Sequence, residues 1–201
     1  MPDRTSCAAF AGTRRIAGGA LAEVALAVRG LSDAPVLVFD DATGRVIDLD
    51  LSGSAAEVAA RYASAEDARG PGRPKLGVVA REVTLLPRQW EWLAGQPGGA
   101  SAALRRLVDA ARKQNEAADQ ARIARERAYR FLHALGGDFA GFEALSRALF
   151  AGDGAGFETG LADWPPDVAA HARRLAEGAF ATQNVASQTA ASSGVRANFP
   201  T

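Results

Sequence analysis

From Ser101 to Leu135 there is neither glycine nor proline, in a chain of 201 residues that holds 21 glycines and 9 prolines. Helical patterning persists throughout, and an unbroken helix over that stretch is about 50 Å long at ~1.5 Å per residue. Its first turns are amphipathic, with Leu104, Leu107, Val108 and Ala111 forming an apolar stripe. Its middle, "RKQNEAADQARIARER", is polar enough for an exposed connector or an oligomer face. The rest of the chain has to be organised around this rod.

Before the rod, residues 6–63 pattern as a small α+β unit. "CAAFAGTRRIAG" can form a first strand, and Leu21, Val24, Ala25 and Val28 share one face of a short helix. "TRRIAGGALAEVALAVRG" resembles a twin-arginine signal, but Glu23 and Arg29 interrupt the apolar run, and its spacing is that of a folded amphipathic helix. "APVLVFDDATGRVIDLDL" patterns as a β-hairpin turning at Asp41-Ala42-Thr43-Gly44, with Gly44 free to take positive φ. Asp40, Asp41, Asp48 and Asp50 cluster there, and are read as a solvated face because no cleft or partner motif accompanies them. Ser54 and Glu57 have the spacing of a helix-starting capping box.

Residues 64–77, "SAEDARGPGRPKLG", are a basic linker or arm by composition. After the rod, "GDFAGFEALSRALF" and "GDGAGFETGLADW" echo one another, with Asp138 and Asp153 placed to cap helices and Phe142 and Phe157 to bury a turn in. "WPPDVAAHARRLAEGAF" adds a helix opened by proline, and His171 on it is read as a packed or surface residue without a ligand's partners. Residues 116–181 thus read as a helical subdomain. The tail, 182–201, has a disordered composition.

Residues 78–115 read as strand, helix, turn and helix. Val83 to Leu86 is β-prone, Pro87 suits a first helical turn, and Trp90 and Leu93 share a helix face. One strand has no partner, and so short a unit cannot bury its apolar face alone. Pairing with the same strand of a second chain solves both problems. The expected dimer core is Val83, Leu85, Trp90, Leu93, Leu104, Leu107 and Val108.

This segment resembles the ribbon-helix-helix module of the Arc and methionine repressors, through "VTLLP", the Pro87-led helix, and the Gly98-Gly99-Ala100-Ser101 start of the second helix. The resemblance implies a two-stranded ribbon in the DNA major groove, with Ala100 and Ser101 anchoring phosphate. One ribbon register turns Arg81, Val83 and Leu85 outward, and the other turns out Glu82 and Thr84. Arg81, Thr84 and Arg88 are the ribbon-side candidates for DNA contact. Gly72-Arg73-Pro74-Lys75, with Arg69 upstream, resembles an AT-hook core, which implies an arm in the A·T minor groove. The whole chain also resembles an uncharacterised bacterial family, through "GRPKLGVVAREVTLLPRQWEWL" and "FEALSRALFAGD".

Charge agrees with an anionic partner. Net charge is zero, yet residues 69–130 carry 13 basic and 6 acidic side chains between two acidic flanks. Arginine so outnumbers lysine, 21 to 2, that no single arginine means much. Cys7 is the one cysteine and there are two histidines, which excludes an internal disulfide and leaves little for a zinc cage. A reducing, cytoplasmic setting fits, with no membrane span. We find no nucleophile elbow, phosphate loop, metal-ligand spacing or histidine–acid pair, so neither enzyme chemistry, a cofactor nor a metal is expected. The expected architecture is α+β: a small N-terminal α/β hairpin unit, a ribbon-helix-helix-like centre and a C-terminal helical subdomain. The expected function is a homodimeric DNA-binding protein, possible as a transcriptional regulator, with a dimerisation or protein-interaction role as the alternative; a small-molecule effector is left open.

Overall fold

The apolar run Cys7–Phe10 lies at the centre of the fold, and its alternating side chains serve two different cores. In a computed structural model describing residues 6–31, 35–63, 79 and 81–180, the chain divides into two units. The first is Met1–Asp67 with Ala118–Thr201, the second Ala68–Ala117.

Strand β1 (Ser6–Ala11) pairs antiparallel with β2 (Arg14–Ala20) on one side and β3 (Val36–Asp40) on the other. A short β4 (Val46–Ile47) completes a four-stranded antiparallel sheet of order β2-β1-β3-β4. The expected first strand is therefore a hairpin, tightened at Gly12 (φ 58°). Its second strand, "RRIAGGA", is glycine-rich and lacks the period-2 alternation that marks a strand in sequence.

Because strand side chains alternate, Cys7, Ala9 and Val38 face helix α1 (Leu21–Arg29), meeting Val24 and Val28. Ala8, Phe10 and Phe39 face the opposite way. There they join the C-terminal part of α4 (Gly99–Gly136), and α5 (Phe142–Ala151), α6 (Gly154–Gly160) and α7 (Pro166–Leu175). The sheet is thus covered on both faces, and residues 6–63 and 118–180 belong to one unit although their patterns read as separate pieces. Phe10, Phe39 and Phe131 meet at 4.9–6.1 Å between ring centroids, largely edge to face. On α4 the buried residues Ala124, Ala128, Phe131 and Leu132 fall on one helical stripe. Gly136 closes it without a side chain, and a Cβ there would overlap the Trp164 ring.

Local signals behave as expected in several places. Helix α2 (Ala55–Tyr62) starts with a reciprocal capping box: Ser54 Oγ accepts from Glu57 N–H at 3.3 Å, and Glu57 Oε2 accepts from Ser54 N–H at 2.7 Å. Asp153 caps α6 by accepting from Gly156 N–H at 2.9 Å, and Phe157 is buried. Asp138, its counterpart in the echo, caps nothing. Two tight turns intervene, and the N-cap of α5 is Gly141 in the left-handed region (φ 83°).

The second unit holds α3 (Pro87–Ala94) and the first turns of α4. Proline opens α3 as expected, and α4 begins at Gly99, two residues before Ser101. Residues 81–86 lie in no helix or strand. A strand is defined by its hydrogen-bonded neighbour, and a single chain offers Val83–Leu86 none among the described residues.

Candidate dimer and nucleic-acid interface

Helix α3 is short but well terminated. Gln89 Oε1 accepts from Leu86 N–H at 2.8 Å, and Gly95 N–H donates to Glu91 O at 3.3 Å. Gly98 and Gly99 both adopt positive φ (82° and 74°), a pair of left-handed residues that only glycine takes easily. Arg106 donates to Pro97 O at 2.9 Å and ties this turn to α4.

Within this frame only Leu93 (3% exposed) and Ala103 are buried. Leu85 and Leu104 are half-buried. Val83, Leu86, Trp90, Trp92, Leu107 and Val108 are exposed, Trp92 and Val108 by 54% each. The expectation that "RQWEWL" is core helix and that Leu104, Leu107, Val108 and Ala111 form a buried stripe therefore fails for one chain. The reason is size: α3 and the first turns of α4 lack a second layer to cover their apolar side chains. Residues 105–120 of α4 are exposed on every side.

The residues expected to contact DNA fall partly within the described structure. Arg81, Thr84, Arg88 and Ser101 are exposed on the second unit, and Ala100 is half-buried at the first turn of α4. Arg69, Arg73 and Lys75 lie outside the described residues. The basic middle is less available than its charge suggests, because four of its arginines are engaged within the first unit. Arg125 donates to Ala179 O at 2.9 Å, and Arg127 to Leu175 O and Glu177 O at 2.5 and 3.1 Å, satisfying carbonyls at and beyond the C-terminus of α7. Arg130 donates to Thr43 O at 2.9 Å, and Arg122 pairs with Asp119 and Glu126.

One cluster escaped sequence reasoning altogether. Asp41, expected on a solvated face, turns inward: its side chain is 12% exposed, 2.7 Å from Arg174 and 3.2 Å from Nε2 of His171. That last contact is short but poorly aligned, so Nε2 and Asp41 Oδ1 lack a full hydrogen bond. His171 is 3% exposed and packs against Phe10 and Phe131 at 5.3 and 4.6 Å. Burial disfavours its charged form and holds its pKa below the usual 6.5, outweighing the attraction of Asp41. For Asp41, burial acts upward, yet the His171 and Ser6 contacts and the Arg174 charge bring its pKa below the ordinary 3.8. The arrangement fastens the β3–β4 turn to α7. Asp40 and Asp50 serve local turns: Asp40 accepts from Ala42 N–H and Thr43 Oγ1, and Asp50 accepts from Ser52 and pairs with Arg61. Asp48 is exposed, as expected. Cys7 is buried, and desolvation with the nearby Asp40 and Asp41 charges pushes its pKa up to about 11, far from a reactive thiolate. No group of three or more metal-ligating side chains is found among the described residues, nor is any described helix long and apolar enough to cross a membrane.

No curated protein and no solved structure matches the chain. A family model does, over residues 6–176, which takes in all the described strands and helices. The chain belongs to the family described as an uncharacterized protein conserved in bacteria (DUF2239).

Proposed function

We propose that this chain works as a homodimer joined through residues 79–115, and that the dimer binds DNA. The observation that carries the reading is the set of large apolar side chains that the second unit leaves exposed. Val83, Leu86, Trp90, Trp92, Leu107 and Val108 are each exposed by 42–54% within about 25 residues of one another. Trp is the residue most enriched among interface anchors, and two on one short helix are costly to leave in water. A second copy supplies what the single chain lacks: a partner strand for Val83–Leu86 and a second helical layer, as in the ribbon-helix-helix arrangement the segment resembles.

DNA is the partner that the remaining charges favour. Arg81, Arg88, Arg105, Arg112 and Lys113 are exposed on this unit, and none forms an ion pair with a described carboxylate. The basic arm with Arg69, Arg73 and Lys75 adjoins them in sequence. Such a surface gains affinity by displacing counterions from phosphate, so binding falls steeply with salt. A second reading, self-association without DNA, is favoured by the register that turns Val83 and Leu85 outward, because those side chains offer bases no hydrogen bond.

An electrophoretic mobility titration across salt, on wild type and on a triple variant (Arg73→Ala, Lys75→Ala, Arg88→Ala), separates the two. Retardation at low salt that the variant loses while its dimeric mass stays unchanged supports DNA binding. Unretarded migration of every genomic fragment at low salt removes DNA and leaves self-association.

A further inference from the structure

A separate feature of the first unit points to a ligand. Where the β3–β4 turn meets α4, a cleft of about 310 Å³ opens between Gly44, Arg45 and Val46 on one side and Tyr129, Arg130 and His133 on the other. Its walls are fixed. A Cβ on Gly44 would overlap the Arg127 carbonyl, so turn and helix touch backbone to backbone. Arg130 bridges the two by donating to Thr43 O at 2.9 Å while pairing with Glu126 at 3.0 Å.

One wall is aromatic. Tyr129 and His133 are four residues apart on α4 and pack together at a tilt, with centroids 5.8 Å apart. Phe142 braces both, at 6.1 and 5.8 Å, and Phe150, 51% exposed, packs on Tyr129 at 5.3 Å. The opposite wall is cationic. Arg45 is exposed, and among the described residues its guanidinium has neither a hydrogen bond nor an ion pair; the Tyr129 hydroxyl also has no hydrogen-bond partner there. The C-terminus of α4 at Gly136 opposes an anion with roughly half a charge, which the full charge of Arg45 outweighs.

We propose that this cleft binds a small phosphate ester bearing a planar ring, of the nucleoside monophosphate class. The ring stacks on Tyr129 and His133, and the phosphate takes the fork of Arg45. The volume lies at the lower end of ligand clefts, roughly 300 Å³, which suits one ring and one phosphate and not a polymer.

The test is calorimetry and ligand-observed NMR on the full chain with adenosine monophosphate, phenyl phosphate, adenosine and inorganic phosphate. Adenosine monophosphate should bind at least about tenfold more tightly than adenosine or phosphate alone, because only it engages both walls. Arg45→Ala should weaken it about tenfold without changing the melting temperature, since no described group holds that side chain. Tyr129→Phe keeps the aromatic wall and should retain most binding, whereas Tyr129→Leu should lose it. Absence of binding by either ring-bearing phosphate at millimolar concentration overturns the proposal, as does unchanged affinity in Arg45→Ala.

Discussion

Replacing His171 with Gln tests whether the Asp41–His171–Arg174 cluster fastens the sheet to α7. The imidazole is 1% exposed and held below its ordinary pKa of 6.5, first by burial. A depressed histidine pKa means that the unfolded chain takes up a proton which the folded chain refuses. Its contribution is therefore complete above pH 6.5 and is lost as pH falls through the lower folded pKa, at a slope of at most about 1.4 kcal/mol per pH unit. Asp41 is also depressed, from 3.8, so its own contribution is lost only at more acid pH and does not blur the histidine window. Glutamine keeps a donor for Asp41 but forfeits ring contacts with Phe10 and Phe131. We expect a loss of about 1–3 kcal/mol at pH 7.5, the range for a buried polar group whose partners are disturbed. Urea denaturation followed by circular dichroism at half-unit intervals from pH 7.5 to 5 reads both quantities. Wild type should weaken steadily below pH 6.5, and the variant should be flatter. A variant as steep as wild type would refute the assignment of that slope to His171.

Other perturbations have equally definite outcomes. Phe131→Ala removes the ring shared by Phe10, Phe39 and His171 and should cost about 3–5 kcal/mol in the same denaturation assay. Gly44→Ala should destabilise by more than about 2 kcal/mol, because φ is +69° and the new methyl meets the Arg127 backbone; a neutral result would mean that the turn and α4 do not touch. Ser54→Ala should cost about 1 kcal/mol, with faster amide exchange confined to the first turn of α2.

What was legible in the sequence was local. The Ser54–Glu57 box, the Gly44 turn, and the prolines that open α3 and α7 each act within four or five residues, so spacing alone reveals them. The glycine-free run gave α4 almost to its ends. Strand β2 was hidden because "RRIAGGA" pairs through its backbone, and glycines leave no pattern of side chains. The joining of Phe10 and Phe39 to Phe131 was also hidden, as was the pairing of Asp41 with His171, since nothing in a sequence reports contacts between segments so far apart. Charge misled most. Arg125, Arg127 and Arg130 look like part of a nucleic-acid patch until the carbonyls they satisfy are seen. The exposed tryptophans work the other way, since side chains that read as core are, in one chain, largely open to solvent.

The central claim is self-association through the second unit, and sedimentation equilibrium tests it most directly. At micromolar concentration the wild-type chain should sediment at twice its 20.9 kDa mass, and the double variant Trp90→Glu, Leu107→Glu should sediment at 20.9 kDa with unchanged far-ultraviolet circular dichroism. A wild-type chain that remains monomeric at those concentrations contradicts the account.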